Sequence, residues 1–147
     1  MSTKFETMKA LIADWSRGDI DAALSYMTDD IVWHYAVAIA APITGKAAAA
    51  RALHRFSSQQ SENRWRLFDH AERGERLFVE GVDEYVDTEG RVISSPYAGV
   101  LEFRGDLICA WRDYFDMATV EAQKAGQAAP DWVAALIDRP AAAPSTS

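Results

Sequence analysis

Two aspartates set inside otherwise apolar strand patterns are the residues of this chain best suited to chemistry. In Leu107-Ile108-Cys109-Ala110-Trp111-Arg112-Asp113-Tyr114-Phe115-Asp116, alternation groups Cys109, Trp111, Asp113 and Phe115 on one face. The earlier run from Leu77 to Tyr85 groups Leu77, Val79, Gly81, Asp83 and Tyr85 in the same way. An ionised carboxylate in such a row loses hydration, so it is kept only if paired, hydrogen-bonded or shifted toward its protonated form. Two acids facing one poorly hydrated space oppose each other's ionisation, and one keeps its proton while the other is a base. That division serves acid–base catalysis, in which one group removes a proton and the other protonates a developing oxygen. Asp113 and Asp83 are therefore the catalytic candidates, with Tyr35 placed to orient water or donate to an oxyanion. The competing reading pairs Asp113 with Arg112 or the backbone, uses Asp116 as a cap, and leaves Asp83 solvated near a strand end.

Other chemistries find little support. His34, His54 and His70 show no metal-binding spacing, and neither an H-E-x-x-H pattern nor a glycine-rich phosphate loop occurs. No metal and no cofactor are expected. Cys109 is the single cysteine, so an intrachain disulfide is impossible, and its strand position reads as inward apolar packing. A net charge of -7 without a basic block argues against nucleic acid. The start, Met1-Ser2-Thr3-Lys4, carries no apolar signal region and no stretch approaches a membrane span, so a cytoplasmic protein is expected.

The elements that must position these acids follow from periodicity. Phe5, Met8, Leu11, Ile12 and Trp15 recur at helical spacing, giving a helix that ends near Gly18. Asp19 can cap a short second helix, Ile31 to about Tyr35 reads as a strand, and the alanine-rich Lys46-to-Phe56 run as a helix. From Trp65 onward strand patterns take over: Arg64 to His70, Arg76 to Val86, Arg91 to Phe103 and Leu107 to Phe115. Asp87-Thr88-Glu89-Gly90 and Arg104-Gly105-Asp106 mark tight turns, hence antiparallel neighbours. A last helix is expected over Asp131 to Ile137. Residues 1–138 form one domain on this reading, with 139–147 a flexible tail.

Helices first and a meander afterwards predict an α+β fold, a curved antiparallel or mixed sheet whose concave face and N-terminal helices enclose a cone-shaped cavity. Gly81 and Gly99 fall inside strands, where a missing side chain permits bending or leaves room for a ligand. The first strand offers either Ile31, Trp33 and Tyr35 or Val32, His34 and Ala36 to the cavity; the row with two large aromatics looks more like a wall. Trp33, Val79, Gly81, Tyr97, Trp111 and Phe115 complete the expected substrate-binding set. Trp15 and Trp65 read as core anchors.

The run Gly99 to Ile108, followed by Trp111-Arg112-Asp113-Tyr114-Phe115-Asp116, resembles the limonene-1,2-epoxide hydrolase and SnoaL-like polyketide cyclase branches of the NTF2-like superfamily. Asp29-Asp30-Ile31-Val32-Trp33 and Pro42-Ile43-Thr44-Gly45-Lys46 look similar to that superfamily too, and the likeness spans roughly residues 4 to 120. The resemblance implies that Asp113 deprotonates water and Asp83 protonates an epoxide oxygen. Gly81 stands where those hydrolases carry a bridging arginine, Trp33 at their tyrosine and Tyr35 at their asparagine. Losing the guanidinium removes the cation that organises the carboxylates, and an indole can donate to water but not accept from it. The reading favoured here is a hydrolase-like acid–base enzyme acting on a small apolar molecule. Ketosteroid-isomerase-like or cyclase-like proton transfer next to a carbonyl is the alternative, and silent binding of an apolar ligand the third. A homodimer is expected from the exposed sheet face and the resemblance.

Overall fold

The computed structural model describes residues 3–142. Helix α1 (Lys4–Ser16) starts where Thr3 accepts a hydrogen bond from the Glu6 amide, and it buries Phe5, Met8, Leu11 and Ile12. Asp19 caps α2 (Ile20–Leu24) through the Ala22 amide. The chain continues as β1 (Met27–His34), β2 (Ile43–Thr44), α3 (Lys46–Ser57), β3 (Gln60–Asn63), β4 (Arg66–Arg73), β5 (Arg76–Asp87), β6 (Val92–Arg104) and β7 (Leu107–Phe115). Two short helices, α4 (Met117–Lys124) and α5 (Asp131–Ile137), follow.

The seven strands form one mixed sheet in the order β2-β1-β7-β6-β5-β3, with β4 also on β5. Only β1 and β7 run parallel; every other neighbouring pair is antiparallel. The sheet curls into a half-barrel, and α1 to α3 pack into its concave side, as the α+β cone predicts. Leu77, Val79, Leu101, Phe103 and Ile108 close its narrow end against Phe5 and Met8 in one buried cluster. At the β5–β6 turn Gly90 takes φ 83°, while Asp87 Oδ1 accepts from the Glu89 and Arg91 amides, so the turn chemistry fixes this hairpin.

Four details depart from the sequence reading. The strand expected over Arg64 to His70 starts at Arg66 and runs to Arg73 as β4, and an unexpected strand, β3, precedes it. Both pair with β5, with Arg64 and Trp65 forming the step between them. A bulge in the β6–β7 pairing lies at Cys109, so Ile108 and Trp111 both turn fully inward and Cys109 is only half-buried. Simple alternation had placed Cys109 in the inner row. Helix α4 follows an Asp116 cap that accepts from the Ala118 amide and the Thr119 hydroxyl. Finally, Arg139 to Ala142 run along β4: Arg139 meets Glu80 at 2.8 Å and the Ala142 amide donates to the Leu67 carbonyl at 2.7 Å. The rest of the expected tail, 143–147, lies outside the described residues.

Candidate active site

The curl of the sheet leaves a hollow of about 220 Å³ between its concave face, α3 and α4. Strand parity lines it as expected with Asp83, Asp113, Tyr35, Trp33, Tyr97, Trp111 and Phe115. Val79 and Gly81, expected to touch a substrate, do not line it. Val79 belongs to the packed narrow end, only 4% exposed. Gly81 is covered by β4: a Cβ there would lie 2.3 Å from the Arg66 carbonyl oxygen. No side chain fits, so the guanidinium of the resembled hydrolases has no place at this position.

The sequence reading missed several lining residues. Trp65, at the β3–β4 step, and Trp15 pack against the buried core as expected and also line the hollow. Trp65 stacks on Trp111 with centroids 5.9 Å apart, and Trp33 leans on Trp111 at 5.8 Å. Ser95, Gln59, Gln60, Met117, Val120 and Lys124 also line it. Only the Asp116 capping signal announced the helix that brings the last three, and nothing in the sequence announced the strand step behind Trp65.

The two acids enter from strands on either side of β6. Asp83 lies opposite Ser95, and Asp113 lies opposite Gly99, four residues closer to the narrow end. Asp113 is thus the deeper group. Its Oδ1 accepts from the Trp111 indole N–H at 2.9 Å and rests over Gly99, where an added Cβ would come within 2.8 Å. Burial pushes the Asp113 carboxyl up to about 8; the Trp111 bond counters this, and the charge of Asp83 adds to it. Asp83 makes no hydrogen bond with the described residues, and burial alone pushes it up to about 6. Asp83 lines the hollow and keeps solvent-accessible surface, whereas Asp113 is partly covered. The asymmetry has a simple cause. Burial is the largest influence on both and weighs more on the deeper Asp113, to which the charge of Asp83 adds a smaller push.

Tyr97 lies between them on β6. Burial, then the charge of Asp113, hold its hydroxyl well above the ordinary tyrosine value; the bond from Trp65 acts against them, and Asp83 adds to them. Its oxygen accepts from the Trp65 indole at 2.7 Å, which leaves its own proton free to donate. Tyr35 packs on Phe56 and Trp33 as part of the wall. Trp33 Nε1 is buried without an acceptor, so it holds no water. His34 does not line the hollow. Among the described residues, no group of three or more His, Cys, Asp or Glu is arranged to hold a metal ion, and no helix is long and apolar enough to cross a membrane.

At neutral pH this geometry presents one ionised carboxylate and two proton-bearing donors to an aromatic hollow. Fold and sequence agree on where such a site belongs. The SnoaL-like domain family matches residues 8–111, and the chain belongs to that family within the NTF2-like superfamily. No curated protein matches it. Among solved structures, it is similar to an LEH-like epoxide hydrolase from M. tuberculosis, with 21% identity, 82% of this chain and 87% of that one covered, and a TM-score of 0.71. A protein with a ketosteroid isomerase-like fold from Catenulispora acidiphila, in complex with trimethylamine, matches at 23% identity over 86% of this chain and 95% of that one, TM-score 0.73. An NTF2-like protein of unknown function from Burkholderia pseudomallei matches at 20% over 80% and 94%, TM-score 0.71. At these identities the likenesses show the fold alone.

Proposed function

We propose that the chain catalyses proton transfer at a carbon next to a carbonyl in a small, largely apolar molecule. Asp83 is the base, and Asp113 and Tyr97 donate to the oxygen. The observation that carries this is the unpartnered Asp83 carboxylate, which shares an apolar hollow with a carboxyl of higher proton affinity. Asp83 takes the α-proton, the C–H pair becomes the carbon–carbon double bond of an enolate, and the carbonyl π pair moves to oxygen. Hydrogen bonds from Tyr97 and protonated Asp113 stabilise that oxygen where water is excluded. Asp83 then returns its proton at the far carbon of a conjugated enolate. Alternatively, the enolate carbon attacks a second carbonyl of the same molecule, whose π pair moves to its oxygen, and Asp83 gives its proton to the alkoxide so formed. The proton affinities reverse the roles that the hydrolase resemblance assigns, under which Asp113 is the base and Asp83 the acid.

Epoxide opening is the second reading, favoured by Ser95. Its side chain lines the hollow directly across from Asp83, so a water held between them could be deprotonated while Asp113 protonates the epoxide oxygen. It lacks the guanidinium and the water-holding tyrosine of the resembled enzymes. The discriminating experiment is NMR of hydrogen–deuterium exchange at the α-carbon of cyclic enones and β-diketones in heavy water, alongside turnover of apolar epoxides. Exchange lost in Asp83→Asn supports the first reading. Epoxide turnover without exchange supports the second, and neither activity leaves the hollow a binding site.

A further inference from the structure

The exposed rim of the hollow gathers hydrogen-bond donors that have no acceptor among the described residues. Lys124, in the last turn of α4, is the one cation among the described lining residues, and no ion pair to it occurs among them. Its neighbour Gln123 grips Ser94 from both sides: the Ser94 amide donates to Oε1 at 2.8 Å, and Nε2 donates to the Ser94 carbonyl at 2.9 Å. That clamp fixes this turn of α4 beside the Asp83–Ser95 pair. Gln59, just past α3, lines the hollow with an uncommitted side-chain amide. Tyr85 lies one inward-facing position beyond Asp83 on β5, and burial first, then Asp83 and Asp87, push its hydroxyl up to about 12, so it keeps its proton.

Lys124 is not there to neutralise Asp83. Burial alone sets the proton affinity of Asp83, with no cation acting on it. Tyr85 follows Asp83 along β5 away from the narrow end, and the exposed Gln59 and Lys124 mark the rim of the hollow. We propose that the molecule bound here carries an anionic oxygen group, a carboxylate or its equivalent, on the end that faces the mouth, and that Lys124 and Gln59 receive it. This rests on the orientation proposed above, with the carbonyl at Asp113 and Tyr97. The substrate is then an amphiphile: its ring or chain lies on the tryptophans, its reacting carbon at Asp83, and its acid at the rim. Asp113 opposes such an anion little, because it is uncharged at neutral pH.

Two dyes that share an aromatic body test this on the full chain: 8-anilinonaphthalene-1-sulfonate, which carries an anion, and N-phenyl-1-naphthylamine, which does not. Lys124→Gln is expected to weaken sulfonate binding about twofold to fivefold, as loss of one exposed ion pair does, and to leave the neutral dye unchanged. Trp132→Ala serves as a control for the exposed apolar face of α5 and is expected to alter neither affinity. An unchanged ratio of the two affinities in Lys124→Gln overturns the proposal, as does binding of both dyes that Trp132→Ala abolishes. Deuterium exchange in the same preparations separates the two ideas. Exchange with an unmoved dye ratio keeps Asp83 and removes Lys124, whereas a reduced ratio without exchange in the wild type removes the reaction and keeps the anion site.

Discussion

The proton affinities of Asp83 and Asp113 differ because their surroundings differ, although both are aspartates in inward strand rows. Asp113 is deeper, lies flat over Gly99 and faces an already ionised Asp83. Activity should therefore rise as Asp83 loses its proton near pH 6 and fall as Asp113 loses its own near pH 8, a bell read from kcat/KM against pH. Asp83→Asn should lower kcat by roughly 10²–10⁴-fold, the usual size of a general-base contribution, without lowering the melting temperature. Tyr97→Phe removes one oxyanion donor and should cost about 10²–10³ in kcat. Much of this was legible in the residues: period-two alternation grouped Asp113 with Trp111 and Phe115 in one row and Asp83 with Tyr85 in another, and all five line the hollow. The division of roles was not legible. Depth along a strand and the absence of a partner for Asp83 are properties of the folded sheet, and the resemblance pointed to the opposite order.

Two glycines show how the elements divide their tasks. Gly99 keeps β6 bare beneath the Asp113 carboxyl, and Gly81 lets β4 cross close to β5. A Cβ at Gly99 meets movable side-chain atoms of Asp113, Tyr97 and Val79, whereas one at Gly81 meets backbone. Gly99→Ala should therefore reduce activity by displacing Asp113 while leaving the fold close to intact. Gly81→Ala should destabilise the protein by about 1–3 kcal/mol, the cost of overpacking a rigid site. Urea melts and turnover on the two variants check the contrast, and equal effects on stability would contradict it. The sequence pattern yielded the boundaries of β5, β6 and β7 to within a residue because each strand carries a long alternating row between clear turns. It did not yield α4, whose eight residues bury only Val120 and Gln123. A strand step and a bulge also escaped it, since neither the break at Arg64 and Trp65 nor the extra residue at Cys109 disturbs composition.

For the whole molecule, the site is a stability cost that grows with pH. An unfolded aspartate titrates near 3.9, so between about pH 4 and the folded values of about 6 and 8 the native state holds protons that the unfolded chain has released. Stability contributed by these two groups is thus fully present below pH 4, declines as pH rises through 6 and 8, and then levels. Carboxyls held low act the other way: Arg112 keeps Glu102 below its ordinary range, and that contribution fades only in acid. The protein should be more stable at pH 5 than at pH 8.5, where both acids are charged in an apolar hollow. The double variant Asp83→Asn/Asp113→Asn should lose most of that difference, as urea melts at the two pH values would show. A bound molecule that donates to Asp83 should raise the melting temperature most on the alkaline side.

The central claim is the order in which the two acids give up their protons. Carboxyl carbon NMR of the aspartate-labelled chain across pH 3 to 10 measures it directly. Two resonances should titrate late, the one near 6 vanishing in Asp83→Asn and the one near 8 vanishing in Asp113→Asn. Late titration by neither group, or an Asp113 that ionises before Asp83, would contradict the account.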